Sequence, residues 1–248
     1  VQVVKHEFHR DQAARQHARR IVKVARRGSI VDRNGAILAH SAPGRSVWAD
    51  PEAMDDPGAV AKALGKALNL DPAGIVALHR KLAVRGRRFV WIRRHVKPTQ
   101  ADAVMALGLP GVDLRAEHKR YWPHKELAGQ LLGMANRDGQ GIAGLEKTWE
   151  DELSGRSLVL QGYRDARGGL ILSGADVAPV VSGNTLVLTL DAQVQHWLET
   201  ELELARREYD AKTSLGLVLD PRTGDILAMS ATPGFNPNAG GRDLEHQR

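Results

Sequence analysis

Ten histidines, 29 carboxylates and a complete lack of cysteine set the chemistry this sequence can carry. Without cysteine there are no disulfides, no thiolate metal sites and no sulfur nucleophile. A serine activated by lysine needs Ser-x-x-Lys, because one helical turn sets the amine beside the hydroxyl it deprotonates. No serine in the chain has lysine three positions on. Ser182-Gly183-Asn184 and Lys212-Thr213-Ser214 look like companion elements of such a site but have no nucleophile to serve. The strained Gly-x-Ser-x-Gly turn is also missing. His6 and His9, or His118 and His124, lack a third ligand at zinc-site spacing. Gly139 to Gly144 spells Gly-x-Gly-x-x-Gly but follows Asn136-Arg137-Asp138 rather than a strand, so it reads as structural glycine and not a phosphate cradle. The residues alone therefore give no metal, no cofactor and no visible catalytic centre. Spacing does not say which carboxylates meet.

The elements that must position any site are those of an ordinary α+β chain. Its 248 residues are 42% hydrophobic and 26% charged, which excludes wholesale disorder, collagen and coiled-coil rods. The longest apolar run, Ala103 to Leu107, is far short of the roughly 20 residues that span a bilayer. The net charge of +6 is concentrated at one end, with nine Lys or Arg against Glu7, Asp11 and Asp32 in residues 1–34. Spacing of Ala14, Ala18, Ile21, Val22 and Ala25 predicts a basic amphipathic helix over Arg10 to Arg26. Its basic face is either a solvated surface or a contact for anionic lipid or another polyanion. No aromatic is interleaved for base stacking, so nucleic acid is not the expected partner.

Asn34-Gly35 between two apolar stretches predicts a tight hairpin. A further strand follows at Ser46 to Ala49. Helices are expected over Gly58 to Leu68, Pro72 to Val84 behind Asp71, and Thr99 to Leu107 behind a threonine cap, giving a helical subdomain over about 58–107. Phe89 to Ile92 reads as a strand and Gly111 to Tyr121 as extended. Leu127 to Ala135 and Leu145 to Leu153 read as helices, and Leu158 to Leu160 with Leu170 to Leu172 as a hairpin. Beyond Gly174 to Gly183 come a strand at Leu186 to Leu190 and a long helix over Ala192 to Tyr209. Val194, Trp197, Leu198, Leu202, Ala205 and Tyr209 are expected on its buried face. Strands at Leu215 to Leu219 and Ile226 to Met229 then flank the turn Asp220 to Asp225.

Five ordered strings go further. Arg27 to Ala39, reading Arg-Gly-x-Ile-x-Asp-Arg-Asn-Gly-x-x-Leu-Ala, resembles the first motif of the N-terminal module of class B penicillin-binding proteins. Arg120-Tyr121-Trp122-Pro123, then Gly141 to Glu146 with Leu153-Ser154-Gly155, are similar to its next two. Leu188 to Asp191 through Gln195, and Val218 to Met229 up to Pro237-Asn238, resemble the opening of the transpeptidase domain. The resemblance is to the septal, cell-division member, with Val47 to Pro51 in a compact N-terminal region. The elongation member and an intact non-catalytic interaction module are the alternatives.

The resemblance implies an elongated pedestal over 1–180 and the truncated beginning of a transpeptidase fold over 181–248. It implies a single-pass anchor in the cytoplasmic membrane with this ectodomain on the outer, periplasmic side. It also implies peptidoglycan cross-linking by a serine that β-lactams acylate, with Ser-x-x-Lys expected beyond Arg248, so that this chain alone is inert. Implied partners are a SEDS-family glycosyltransferase, division-complex proteins and peptidoglycan itself. Strands at the end of the chain are expected to expose pairing edges after about Gly183, leaving either a covering segment or poor order. Arg27, Gly28, Asp32, Arg33, Asn34, Gly35, Arg120, Gly144 and Glu146 are the expected motif residues. Arg27, Asp32, Arg33, Arg120 and Glu146 are expected to form one charge-assisted lock.

Overall fold

A computed structural model describes residues 18–84, 86–164, 170–172 and 180–239. The chain divides into two compact units, one formed by residues 1–40 with 122–248 and the other by 41–121.

The first strand, β1 (Ala18–Lys23), stands where the basic helix is expected. It pairs antiparallel along its whole length with a later strand, from Ala18 opposite Tyr163 to Lys23 opposite Leu158. The β-branched pair Ile21-Val22 favours this extended backbone, and the ladder outweighs the helical spacing of the alanines. Residues 10–17 of the expected helix lie outside the described residues. β2 (Ile30–Val31) and β3 (Ile37–Ala49) form the predicted hairpin, with Ile30 opposite Ala39 and Gly35 at φ 85°. The Ser46 to Ala49 strand is not separate. It is the end of β3, a strand of 13 residues that runs on through Pro43-Gly44.

The second unit is helices on a sheet. α1 (Pro57–Leu68) and α2 (Pro72–Leu82) open with Asp56 and Asp71 accepting from first-turn amides and with proline at the first position. β4 (Val90–Val96) pairs antiparallel with β3, and β5 (Val112–Tyr121) also pairs with β3. Between them α3 (Pro98–Ala106) is capped at Lys97. Pro98, suited to the first helical turn, starts this helix before Thr99 and displaces it from the cap. Leu64, Leu68, Leu82 and Val104 meet Val47 and Ala49 in a fully buried core.

In the first unit, α4 (Gly129–Leu132) is a single turn followed by β6 (Met134–Ala135). Gly133, at φ 75°, breaks the helix expected over Leu127 to Ala135. β7 (Gly141–Ala143) leads into α5 (Gly144–Thr148) and α6 (Glu150–Ser154), which are split at Trp149 where one helix is expected. β8 (Leu158–Arg164) and β9 (Leu170–Leu172) form the expected antiparallel hairpin beside β1. β10 (Leu186–Val187) is shorter than expected and runs parallel to β2. From Leu188 the chain turns instead to deliver Asp191 to a helix cap. That helix, α7 (Ala192–Glu208), packs on β11 (Ser214–Leu219) and β12 (Ile226–Thr232), an antiparallel pair.

Trp197 and Tyr209 are exposed, at 58% and 77%, so the buried face of α7 is narrower than its sequence pattern. The core of this unit joins Ile30, Leu38, Trp122, Ala128, Leu132, Leu153 and Leu190. Leu215 and Leu217 leave β11 with an exposed apolar face. No helix of the described residues is long and apolar enough to cross a membrane.

Candidate functional site

All the motif residues but Arg120 lie in the first unit, most of them at two polar centres. At the first, the Arg27 guanidinium is buried and donates from all three of its nitrogens. Nε donates to Glu146 Oε2 at 2.6 Å and Nη2 to the Glu146 carbonyl at 2.6 Å. Nη1 donates to Glu150 Oε2 at 2.6 Å and to the Gly139 carbonyl at 3.1 Å. Glu146 is fully buried and Arg27 nearly so. Two charges in such a place persist because they are paired and hydrogen-bonded, the rigid fork of arginine being suited to do so. Glu150 Oε2 accepts a further bond from the Gly141 amide at 2.8 Å, so this single cation ties α5, α6 and β7 together.

The glycines of the motifs are conditions of close approach. A Cβ on Gly28 would lie 1.8 Å from the Asn184 carbonyl oxygen, while the Gly28 amide donates to Leu153 at 2.8 Å. Gly144, at φ 59°, abuts the backbone of Gly133, where a Cβ would come within 2.6 Å.

At the second centre the hairpin turn caps a helix. Asp32, almost fully buried, closes its own turn by accepting from the Asn34 and Ala36 amides through Oδ1, each at 2.8 Å. Its other oxygen accepts from the Ala192 amide, the first of α7, at 3.0 Å. Asp191 takes the next two, from Gln193 at 2.9 Å and Val194 at 3.2 Å. Two carboxylates thus satisfy three amides that a helix N-terminus leaves without partners, at its positive end. Asn34 Nδ2 donates to Asp191 Oδ2 at 3.0 Å, and the Arg33 amide to the Leu190 carbonyl at 2.9 Å. The Val194 amide first, then Asn34, the Gln193 amide and the Arg33 charge, hold the Asp191 carboxyl below its usual range.

The five charged residues spread their contacts over several partners. Arg27 and Glu146 pair; Asp32 serves the turn and α7; Arg33 contributes through its backbone and by its charge near Asp191 and Asp220. Arg120 is a residue of the second unit, where it donates to Ser41 Oγ at 3.4 Å. From the same motif, Trp122 exchanges two bonds with the Asn238 side chain, at 3.1 and 2.8 Å.

Residues outside the expected set extend the junction. Glu199 Oε1 accepts from the Ala128 amide at 2.8 Å and from Gln195 Nε2 at 2.7 Å. The buried Gln195 amide bonds both backbone groups of Met229, at 3.0 and 2.9 Å. Glu203 holds Thr232, Arg206 and Arg207, and these bonds, that from Arg206 foremost, drive its carboxyl far below the ordinary glutamate range. Neither Glu150, which lies beyond the helix break at Trp149, nor Glu199 had a motif to mark it in sequence. Among the described residues no cluster of three His, Asp or Glu could hold a metal. The arrangement holds backbone in place.

Residues 22–188 match the penicillin-binding protein dimerisation domain. The chain is 36% identical to the probable peptidoglycan D,D-transpeptidase PenA of Neisseria meningitidis, over all of this chain and 43% of that protein. It is 35% identical to the peptidoglycan D,D-transpeptidase FtsI of Escherichia coli, over 86% of this chain and 36% of that one. A peptidoglycan synthetase from Bifidobacterium adolescentis superposes with a TM-score of 0.60 at 26% identity, covering 88% of this chain and 45% of that one. Penicillin-binding protein 2X from Streptococcus thermophilus gives 0.61 at 21%, covering 90% and 37%. The chain therefore spans less than half the length of these relatives.

Proposed function

Because this chain belongs to the class B penicillin-binding proteins, we propose that it is the pedestal, over about 1–180, and the opening of the transpeptidase domain, over 181–248, of a septal peptidoglycan D,D-transpeptidase. In that protein a serine outside these residues attacks the penultimate D-Ala carbonyl of a stem peptide, and D-Ala leaves. An amine of a neighbouring strand then takes the acyl group. The part played here is positioning, and the observation that carries it is the Asp32 carboxylate, which closes the motif hairpin and accepts from the first amide of α7. A pedestal turn and a catalytic-domain helix thereby share one buried group, and a shift of either costs both sets of bonds. We read Arg27 and Glu146 as the rigid base from which that hairpin projects.

The partners that fit are a SEDS-type glycosyltransferase and division proteins around an ectodomain anchored in the cytoplasmic membrane, with the basic residues of 1–34 near anionic headgroups. The test is labelling of the full gene product with a fluorescent penicillin and mapping of the adduct. A serine of a Ser-x-x-Lys string after residue 248 is the expected site, with residues 1–248 alone unlabelled. An adduct within residues 1–248, or none in the full product, would overturn the reading.

A further inference from the structure

The sequence has three Phe, five Trp and three Tyr, and three of these eleven rings converge on one face of the second unit. Trp48 of β3 stacks on Phe89 at 5.1 Å between ring centroids and 21° between planes. Phe89 meets Trp91 of β4 edge-on at 4.9 Å. Phe89 is 42% exposed, so the group is a surface and not a core. Two guanidinium groups lie over it. Arg94 is 5.1 Å from the Trp91 centroid, and Arg115 of β5 is 6.0 Å from Phe89 and 5.9 Å from Trp91.

The cations divide by what they already hold. Arg88 pairs with Glu52, Arg94 with Glu117, and Arg93 donates to the Leu68 carbonyl. Among the described residues Arg115 has ring contacts and no oxygen acceptor, and the exposed Arg87 next to this segment has neither. Cation-π attraction uses the charge of Arg115 but none of its N–H donors, so its fork remains available for a carboxylate. From Arg87 to Lys97 the chain carries five Lys or Arg and no Asp or Glu. A face that combines tryptophan, phenylalanine and unsatisfied arginine has the composition of a protein-binding hot spot. Its rings are engaged with one another and with guanidinium groups, which disfavours stacking by a sugar or a base. Its charge asks for an acidic occupant.

We propose that the Trp48, Phe89, Trp91 and Arg115 face of residues 41–121 docks an acidic peptide segment of a partner protein, with carboxylates received by Arg115 and Arg87. The proposal is independent of the acyl-transfer reading.

The test is fluorescence anisotropy of a fluorescein-labelled Glu-rich peptide titrated with the 248-residue chain, the control being the same peptide with Gln for Glu. The Glu peptide binds, more weakly as salt is raised, and the Gln peptide does not. Arg115→Glu and Arg87→Glu each weaken binding by about tenfold or more, while Arg45→Glu, outside the patch, leaves it within about twofold. Melting curves of each variant establish that it is folded, and the exposed Arg87 carries the test should Arg115→Glu unfold. Equal binding of the Gln peptide, or insensitivity to both reversals, would overturn the proposal. So would Arg115-dependent binding to phosphatidylglycerol vesicles with no binding of the Glu peptide.

Discussion

The two units of this chain are held together by different physics. Residues 41–121 build an apolar core in which Leu64, Leu68, Leu82 and Val104 are sealed beneath capped helices, and their ion pairs range from the exposed Arg45–Asp102 to the mostly buried Arg94–Glu117 beside the ring cluster. The other unit goes further and seals an ion pair almost completely, with Glu146 fully buried against Arg27. Arg27 reaches Glu146 and Glu150 across 119 and 123 positions of sequence, and Asp32 reaches Ala192 across 160. An apolar core tolerates repacking, whereas a buried polar contact holds one geometry or leaves a group unsatisfied. The unit that carries most of the family motifs therefore rests on long-range directional bonds.

That contrast is broken or sharpened by a series of substitutions. The largest effect is expected of Arg27→Ala, which strands a buried glutamate; the cost is about 3–5 kcal/mol, or on the order of 10 °C in melting temperature. A shift of only one or two degrees would mean that the charges are incidental. Leu64→Ala should cost about 3 kcal/mol by opening a cavity. Hydrogen exchange should then rise within 41–121 and remain unchanged at Asp32 to Ala36, and exchange that rises equally in both units would erase the distinction.

Asp32→Ala removes a turn and a cap together and should cost about 1–2 kcal/mol, faster amide exchange at Ala192 being its local signature. Asp191 supplies a pH readout. Its carboxyl titrates below 3.8 in the folded chain, so its stabilisation is in place above that value and is lost as pH falls through the folded pKa. The melting difference between wild type and Asp191→Asn should therefore shrink in acid, and a difference constant from neutral pH to below 3 would contradict the capping role. The smallest change, under about 1 kcal/mol, is expected of Arg45→Ala on the surface.

Much of this architecture was legible in the chain because local chemistry decides it. Asn34-Gly35 sets the hairpin, Asp71-Pro72 starts a helix, and the five motif strings point to the same family. What stayed hidden was decided at long range. The spacing of Ala14, Ala18 and Ala25 could not reveal that residues 158–163 would offer β1 a ladder. Arg27 stood out by its motif, but its second carboxylate, Glu150, lies beyond the helix break at Trp149. Glu199 carries no motif and acts through an amide of a distant loop. Asp32 was legible as a residue and not as a cap, since the helix it serves begins 160 positions later.

The most direct test compares the second-order rate of acylation by a fluorescent penicillin in the full gene product with and without Asp32→Ala, at a temperature where both are folded. If the hairpin positions the first helix of the catalytic domain, the variant is acylated several-fold more slowly while residues 41–121 keep their exchange protection. Equal rates, with the Ala192 amide demonstrably released, would contradict the account.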